Sequence, residues 1–291
     1  MQPLPAGPKV GQLSVNCLPP PRIHPSRGVL PVLISVPHAG RDYPDWLVEL
    51  STQGRKPLES LEDPLVDRLV WRALGLGVAA VVAQAPRAAV DCNRAEDEID
   101  PASIHVERRT RPSPRARGGL GIVPSRTAAH GHLWSRPITS ENLESRLEQA
   151  YRPYHAAIEG QLAHLGDRFG CALLLDCHSM PPSKGGAEVV FGDRYGRSAA
   201  PWLMSEALAV ATERGFAAAA NDPFAGGHIL DRHAAPQNQV HALQIEIDRR
   251  CYLDPHGRPG RRFDEVAALI EMLTERLGRA LLQRRLPAAA E

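Results

Sequence analysis

The chain has 291 residues, 43% of them hydrophobic and 23% charged, with 34 basic and 33 acidic side chains, a formal charge of +1 and 12 histidines. That composition excludes a disordered or fibrous chain and leaves length for one large core or two small ones. A near-neutral balance also argues against nucleic acid as a partner, because no broad basic surface is available.

Lys9, Lys56 and Lys184 are the lysines, so 31 of the 34 basic residues are arginine. With the richness in Ala, Gly and Pro this bias points to codon usage, and a single arginine therefore carries little functional weight. The five cysteines, Cys17, Cys92, Cys171, Cys177 and Cys251, are odd in number, widely spaced and without a CxxC pair. Reduced, intracellular thiols are the expectation. The opening MQPLPAGPKVGQL lacks the apolar core of a signal peptide, and no run approaches the roughly 20 apolar residues of a membrane span. These features lead us to expect a soluble, cytoplasmic protein without a membrane partner.

Residues 1–28, with Pro19, Pro20, Pro21 and Pro25, read as an extended arm, since proline removes backbone donors and fixes φ. From Val29 the run VLPVLISV predicts a buried strand that stops at Pro37-His38-Ala39-Gly40. A helix is expected over 63–74, with Asp63 as its cap and Pro64 in the first helical position. Val78 to Val82 reads as a short strand. Residues 86–140 show little periodicity of either kind, and a long irregular segment in a compact domain is usually functional or disordered. Residues 141–167 have helical spacing, with Ser140 as cap and Pro153 expected to kink or divide the helix. Strands are predicted at 171–177, 187–191 and 240–247, and helices at 199–213 and 264–284. Continuously apolar strands alternating with helices predict a three-layer α/β fold with a mixed, mostly parallel sheet, one domain over 29–291.

Polar residues gather at the predicted strand ends, which is where ligands bind in open α/β sheets. His38 follows the first strand directly in PHAGRD, with Asp42 four residues later. Taken alone, that histidine reads more readily as a surface turn residue than as a metal ligand. In DCHSM, Asp176 and His178 project to one side of a strand, so the acid can orient a neighbouring imidazole. In QIEID, Gln244, Glu246 and Asp248 share one face. Glu246 is the candidate general base, a carboxylate able to take a proton from water and pass it to a leaving nitrogen. PRAAVDCNR carries Arg87, Asp91, Asn93 and Arg94, and an arginine fork suits a substrate carboxylate, although a surface salt bridge explains it equally well. GGHILDRH places Arg232 and His233 after paired glycines, and His228 and His233 read as loop residues rather than ligands. No GxxxxGK[ST], GxSxG or HExxH motif is present, and Gly118-Gly119-Leu120-Gly121 does not follow a predicted strand.

In order along the chain, VPHAG, VDCNR, RGGLGIVP, DCHSMP, FGDRYG, PFAGGHI and QIEIDRRCYLD resemble the N-formylglutamate amidohydrolase family over roughly Val29 to Leu253. The resemblance implies a phosphorylase/hydrolase-like fold akin to the zinc carboxypeptidases and aspartoacylases, with one zinc ion at the strand ends. It implies His38 and His178 as zinc ligands, Glu246 as the acid that activates water, Asp176 as the support of a ligand, and Asn93 with Arg94 as the grip on a carboxylate. Arg87 and Arg232 are further candidates for a second carboxylate. Relatives hold zinc partly through His-x-x-Glu; here position 41 is Arg41, which leaves Asp42 as the candidate third ligand. The chain also carries Asp248 where relatives often have Asn and His228 where they have an aromatic. The implied activity is hydrolysis of N-formyl-L-glutamate to formate and glutamate, a step suited to histidine degradation. The alternatives are another N-acyl amino acid or small peptide as substrate, or a non-catalytic relative that binds an acidic metabolite.

Overall fold

The computed structural model describes residues 17–105, 113–182 and 186–285, so the first 16 residues of the proline-rich arm lie outside it. Seven strands form one sheet: Arg22–His24 (β1), Val32–Val36 (β2), Ala79–Val82 (β3), Ala172–Met180 (β4), Val189–Gly192 (β5), Ala218–Ala220 (β6) and Val240–Asp248 (β7). Their order is β1-β3-β2-β4-β7-β5-β6. β3, β2, β4 and β7 run parallel to their neighbours, as do β5 and β6, while β1 on β3 and β5 on β7 are antiparallel. β1 belongs to the arm and is bounded by Pro21 and Pro25, which lack the N–H that would prolong it.

Alternation sorts the strand residues between two layers. Leu173, Leu175, Cys177, Leu243, Ile245 and Ile247 face a core shared with the helices Trp71–Gly75, Pro201–Glu213 and Phe263–Arg285. Leu33, Ala172, Leu174 and Ala242 face the opposite core, under Arg152–Phe169 and His228–His233. Strands buried on both faces explain the continuous apolar runs. A third core belongs to the aperiodic stretch and its neighbours, with Ile99, Ile122, Val123, Leu133 and Leu147 fully buried. The stretch is thus packed, although only the short ladders 104–105/138–139 and 126–127/131–132 and a turn of helix give it regular structure.

Three local expectations need correction. β4 continues through His178 to Met180 instead of stopping at the histidine. The helix expected over 63–74 is broken into Val66–Leu69 and Trp71–Gly75, with Leu65 in the left-handed region at φ 61°, and Asp63 caps neither piece. Its carboxylate is engaged elsewhere, as shown below. The cap before Ser140–Arg146 is Thr139, whose hydroxyl accepts the Asn142 N–H at 3.3 Å. The helix then widens into a π-helical turn at Leu147–Tyr151 just ahead of Pro153 and continues as Arg152–Phe169. A proline ring clashes with the carbonyl four residues back and donates no N–H, and the wider turn accommodates both.

β2 is followed by β3 on one side of it and β4 leads to β5 on the other, so the chain reverses direction across the sheet between β2 and β4. Ligands bind beyond the carboxyl ends of parallel strands at such a point.

Candidate metal centre and its pocket

His38 stands in the turn after β2, and His178 stands near the end of the adjacent β4. Asp63 joins them because its backbone N–H donates to the His38 carbonyl at 3.0 Å. Asp63 Oδ2 lies 3.1 Å from Nδ1 of each imidazole, and the two Nδ1 atoms are 3.2 Å apart. All three residues are buried.

The far nitrogens decide what this triangle is. His38 Nε2 is 2.8 Å from Asp91 Oδ1, and His178 Nε2 is 2.8 Å from Asp176 Oδ2. A carboxylate only accepts, so each Nε2 is the donor in its contact, and in the neutral ring Nδ1 keeps a lone pair that faces the centre. Two imidazole nitrogens and a carboxylate oxygen then face one another, an arrangement that either Nδ1 protons shared with Asp63 or a metal cation satisfies. The donor set fits zinc: ligand bonds of 2.0–2.2 Å in a tetrahedron separate donor atoms by roughly 3.3–3.5 Å, close to the spacing seen. Protons compete with a metal for the same atoms. Burial opposes ionisation of Asp63, yet the His178 and His38 imidazoles hold its carboxyl well below the usual range. Burial likewise works against His178 carrying charge, but Asp176 and Asp63 push it well up.

The supporting carboxylates are themselves fixed. Asp91 accepts from Arg87 Nε at 2.9 Å and from the Asn93 N–H at 2.8 Å. Asp176 accepts from Ser35 Oγ at 2.7 Å, and Ser35 in turn receives the Tyr154 hydroxyl at 2.7 Å. Arg249 reaches Asp63 Oδ1 at 3.3 Å and Ser179 Oγ at 3.1 Å.

Glu246 pairs with His178 in register across β4 and β7, so the carboxylate and the imidazole stand side by side on one face of the sheet. Its Oε1 accepts from Gln244 Nε2 at 2.9 Å, and Gln244 Oε1 accepts the Gly227 N–H at 3.0 Å. Burial pushes the Glu246 carboxyl up to about 7, partly offset by His178. That value suits a group that must both take and return a proton near neutrality. Gly227 is required here, since a Cβ would overlap the Asn93 side chain. The Asn93 amide is held by the Ile229 N–H donating to its Oδ1 at 2.9 Å.

These residues line a cavity of about 540 Å³ that includes His38, Asp63, Asn93, His178 and Glu246. Arg94 lines it too, buried, with its guanidinium donating to the Leu120 and Asn93 carbonyls. Arg87 joins the wall while paired to Asp91.

Two expected site residues are elsewhere. Asp42 is exposed and outside the cluster, beyond Arg41, which pairs with Asp67 at 2.6 Å; Asp63 occupies the place expected for it. Arg232 pairs with Glu159 at 3.0 Å on the surface, away from the cavity lining. His233 is buried against His155 at 2.8 Å, away from the metal-like cluster, and His228 meets His155 edge-on. The sequence alone does not single out Asp63, Arg249 or the supporting role of Asp91. Asp91 stands in the VDCNR motif, whereas Asp63 reads as a helix cap.

The family model of N-formylglutamate amidohydrolase matches residues 30–253. The chain belongs to that family. It is 29% identical over 266 residues to an N-formylglutamate deformylase of Pseudomonas putida, covering 88% of this chain and 94% of the relative. To the N-formylglutamate deformylase of Pseudomonas aeruginosa it is 31% identical over 262 residues, covering 86% and 92%. The crystal structure of N-formylglutamate amidohydrolase from Ralstonia eutropha JMP134 superposes with a TM-score of 0.84 at 28% identity, over 91% of this chain and 99% of that one. As a member of the N-formylglutamate amidohydrolase family, the chain is an enzyme of the class that hydrolyses amide bonds. Among the described residues no helix is long and apolar enough to cross a membrane.

Proposed function

We propose that the protein hydrolyses the amide of an N-formyl amino acid, N-formyl-L-glutamate foremost, to formate and the free amino acid. The convergence of His38 Nδ1, His178 Nδ1 and Asp63 Oδ2 beside Glu246 carries this reading, together with the names of the relatives. His38, His178 and Asp63 are the proposed ligands of one zinc ion. When bound, zinc polarises an amide carbonyl and acidifies water.

The chain's own residues do the rest. Glu246 takes a proton from the attacking water and returns it to the nitrogen as the C–N bond breaks. The acid product's proton also ends on that nitrogen, so the count closes on formate and a protonated amine. Arg94, whose guanidinium donates to backbone carbonyls, and Asn93 fix the substrate carboxylate, and such orientation contributes toward the roughly 7–11 kcal/mol available at best from proximity. Arg87 offers a further donor, and Asp176 and Asp91 keep the two imidazoles in the required tautomer. The wider reading is a cytoplasmic enzyme of amino-acid degradation, built like the zinc carboxypeptidases.

Formate release from N-formylglutamate, measured with metal content before and after chelation, tests the reading. We expect activity and zinc to disappear together and to return together. Full activity in metal-free protein rejects the metal-dependent mechanism. The cavity falls within the roughly 300–1,000 Å³ range of small-molecule sites, which keeps a longer acyl group as the second reading, and a panel of N-acyl amino acids separates the two.

A further inference from the structure

Arg87, Arg94, Arg115, Arg126 and Arg249 all line the cavity. Two of them are neutralised inside the protein, Arg87 by Asp91 and Arg249 by Asp63. Among the described residues Arg94 donates to backbone carbonyls, and Asp91 and Glu98 act on its charge from nearby. Arg115 and Arg126 pair with no carboxylate among the described residues; Arg126 donates to the Arg117 carbonyl.

These three cations line one cavity, and one stretch of chain places them there. Ser113 caps the short helix Pro114–Arg117, its hydroxyl accepting the Ala116 N–H at 3.0 Å, which places Arg115 at the cavity wall. Arg115 lies near enough to Arg94 to oppose its charge. The RGGLG loop follows. Leu120 supplies the carbonyl that holds Arg94 Nε at 2.9 Å, and Arg126 lies across Gly119, which sits at φ +92°. A Cβ at Gly119 would run into the Arg126 side chain and meet its backbone. One loop therefore orients both Arg94 and Arg126. Like charges lining one cavity repel, and a ligand bearing more than one negative charge removes that cost.

We infer that Arg115 and Arg126, set by the RGGLG loop, form a second anion subsite for the side-chain carboxylate of a dicarboxylic N-acyl amino acid, whose α-carboxylate is held by Asn93 and Arg94. The inference rests on the proposed reaction for the identity of the ligand, and its test does not depend on turnover. Selectivity follows from the loop: a substrate with a neutral side chain leaves two cations unmatched.

Titration calorimetry of the full-length protein with L-glutamate and with L-glutamine compares ligands of nearly equal shape that differ by one carboxylate. Wild type is expected to prefer glutamate by at least about tenfold, the scale of one charge-assisted hydrogen bond. Arg115→Met, Arg126→Met and the double variant should each reduce that preference, the double variant to near parity. Arg115 is exposed, so its replacement leaves the core intact. Arg232→Met removes the same charge outside the cavity and should keep the preference. Equal affinities in wild type, a preserved preference in the double variant, or an equal loss in Arg232→Met overturns the subsite. An arginine-dependent preference in a protein that releases no formate upholds the subsite and rejects the proposed reaction alone.

Discussion

Asp63 is bound to His38 twice: its backbone N–H donates to the His38 carbonyl at 3.0 Å, and its Oδ2 stands 3.1 Å from the imidazole Nδ1. The first contact places the loop, and the second completes the triangle with His178. Asp63→Asn should therefore lose most of the bound zinc, while Asp42→Asn should retain about one equivalent. Metal analysis after gel filtration measures both. Retention by Asp63→Asn with loss in Asp42→Asn would restore Asp42 as the ligand.

Glu246→Gln conserves shape and leaves all three proposed ligands in place. We expect wild-type metal content with formate release lowered by about 10²–10⁴, the usual contribution of a positioned acid–base group. A near wild-type kcat removes Glu246 from the proton transfer.

Asp91 and Asp176 touch the imidazoles at Nε2, opposite the centre. Either Asp→Ala change removes the acceptor that fixes the tautomer and should weaken zinc affinity by roughly 10–100-fold. Competition with a chelator of known affinity reads the shift. Unchanged affinity in both variants means that the rings are oriented by packing alone.

The buried histidine pair behind the site predicts an acid-sensitive fold. Desolvation, then His233 and Arg232, lowers His155 to about 2; desolvation, then Arg232 and His228, lowers His233 to about 3. Tyr151, Tyr154 and His228 complete the surroundings of His155. In the unfolded chain both histidines titrate near 6.5. Below that pH the unfolded state binds protons that the folded state refuses, so stability falls as pH drops from about 6.5 toward the folded values. The slope of unfolding free energy between pH 7 and pH 5 should be shallower in His233→Gln than in wild type. Equal slopes would place the acid sensitivity elsewhere.

Much of this site is legible in one sequence because strands alternate. Asp176 with His178, and Gln244 with Glu246, are polar pairs on otherwise apolar strands, and they share a face in the register found. Asp63 is hidden because an acid before a proline satisfies the chemistry of a helix cap equally well, and its approach to His38 spans 25 residues. Arg249 and Arg126 are masked by the arginine excess, and only their neighbours distinguish them from Arg232. The pairing of β1 with β3 shows no periodic signal at all, since three residues are too few to carry one.

That short strand gives the arm a protective role. A sheet edge offers unpaired N–H and C=O groups to any passing strand, and proteins blunt such edges with short strands and prolines. β1 covers the edge of β3 and presents in its place three residues between Pro21 and Pro25. Removing residues 1–28 would bare Ala79–Val82, an apolar edge, and the expected outcome is self-association through it.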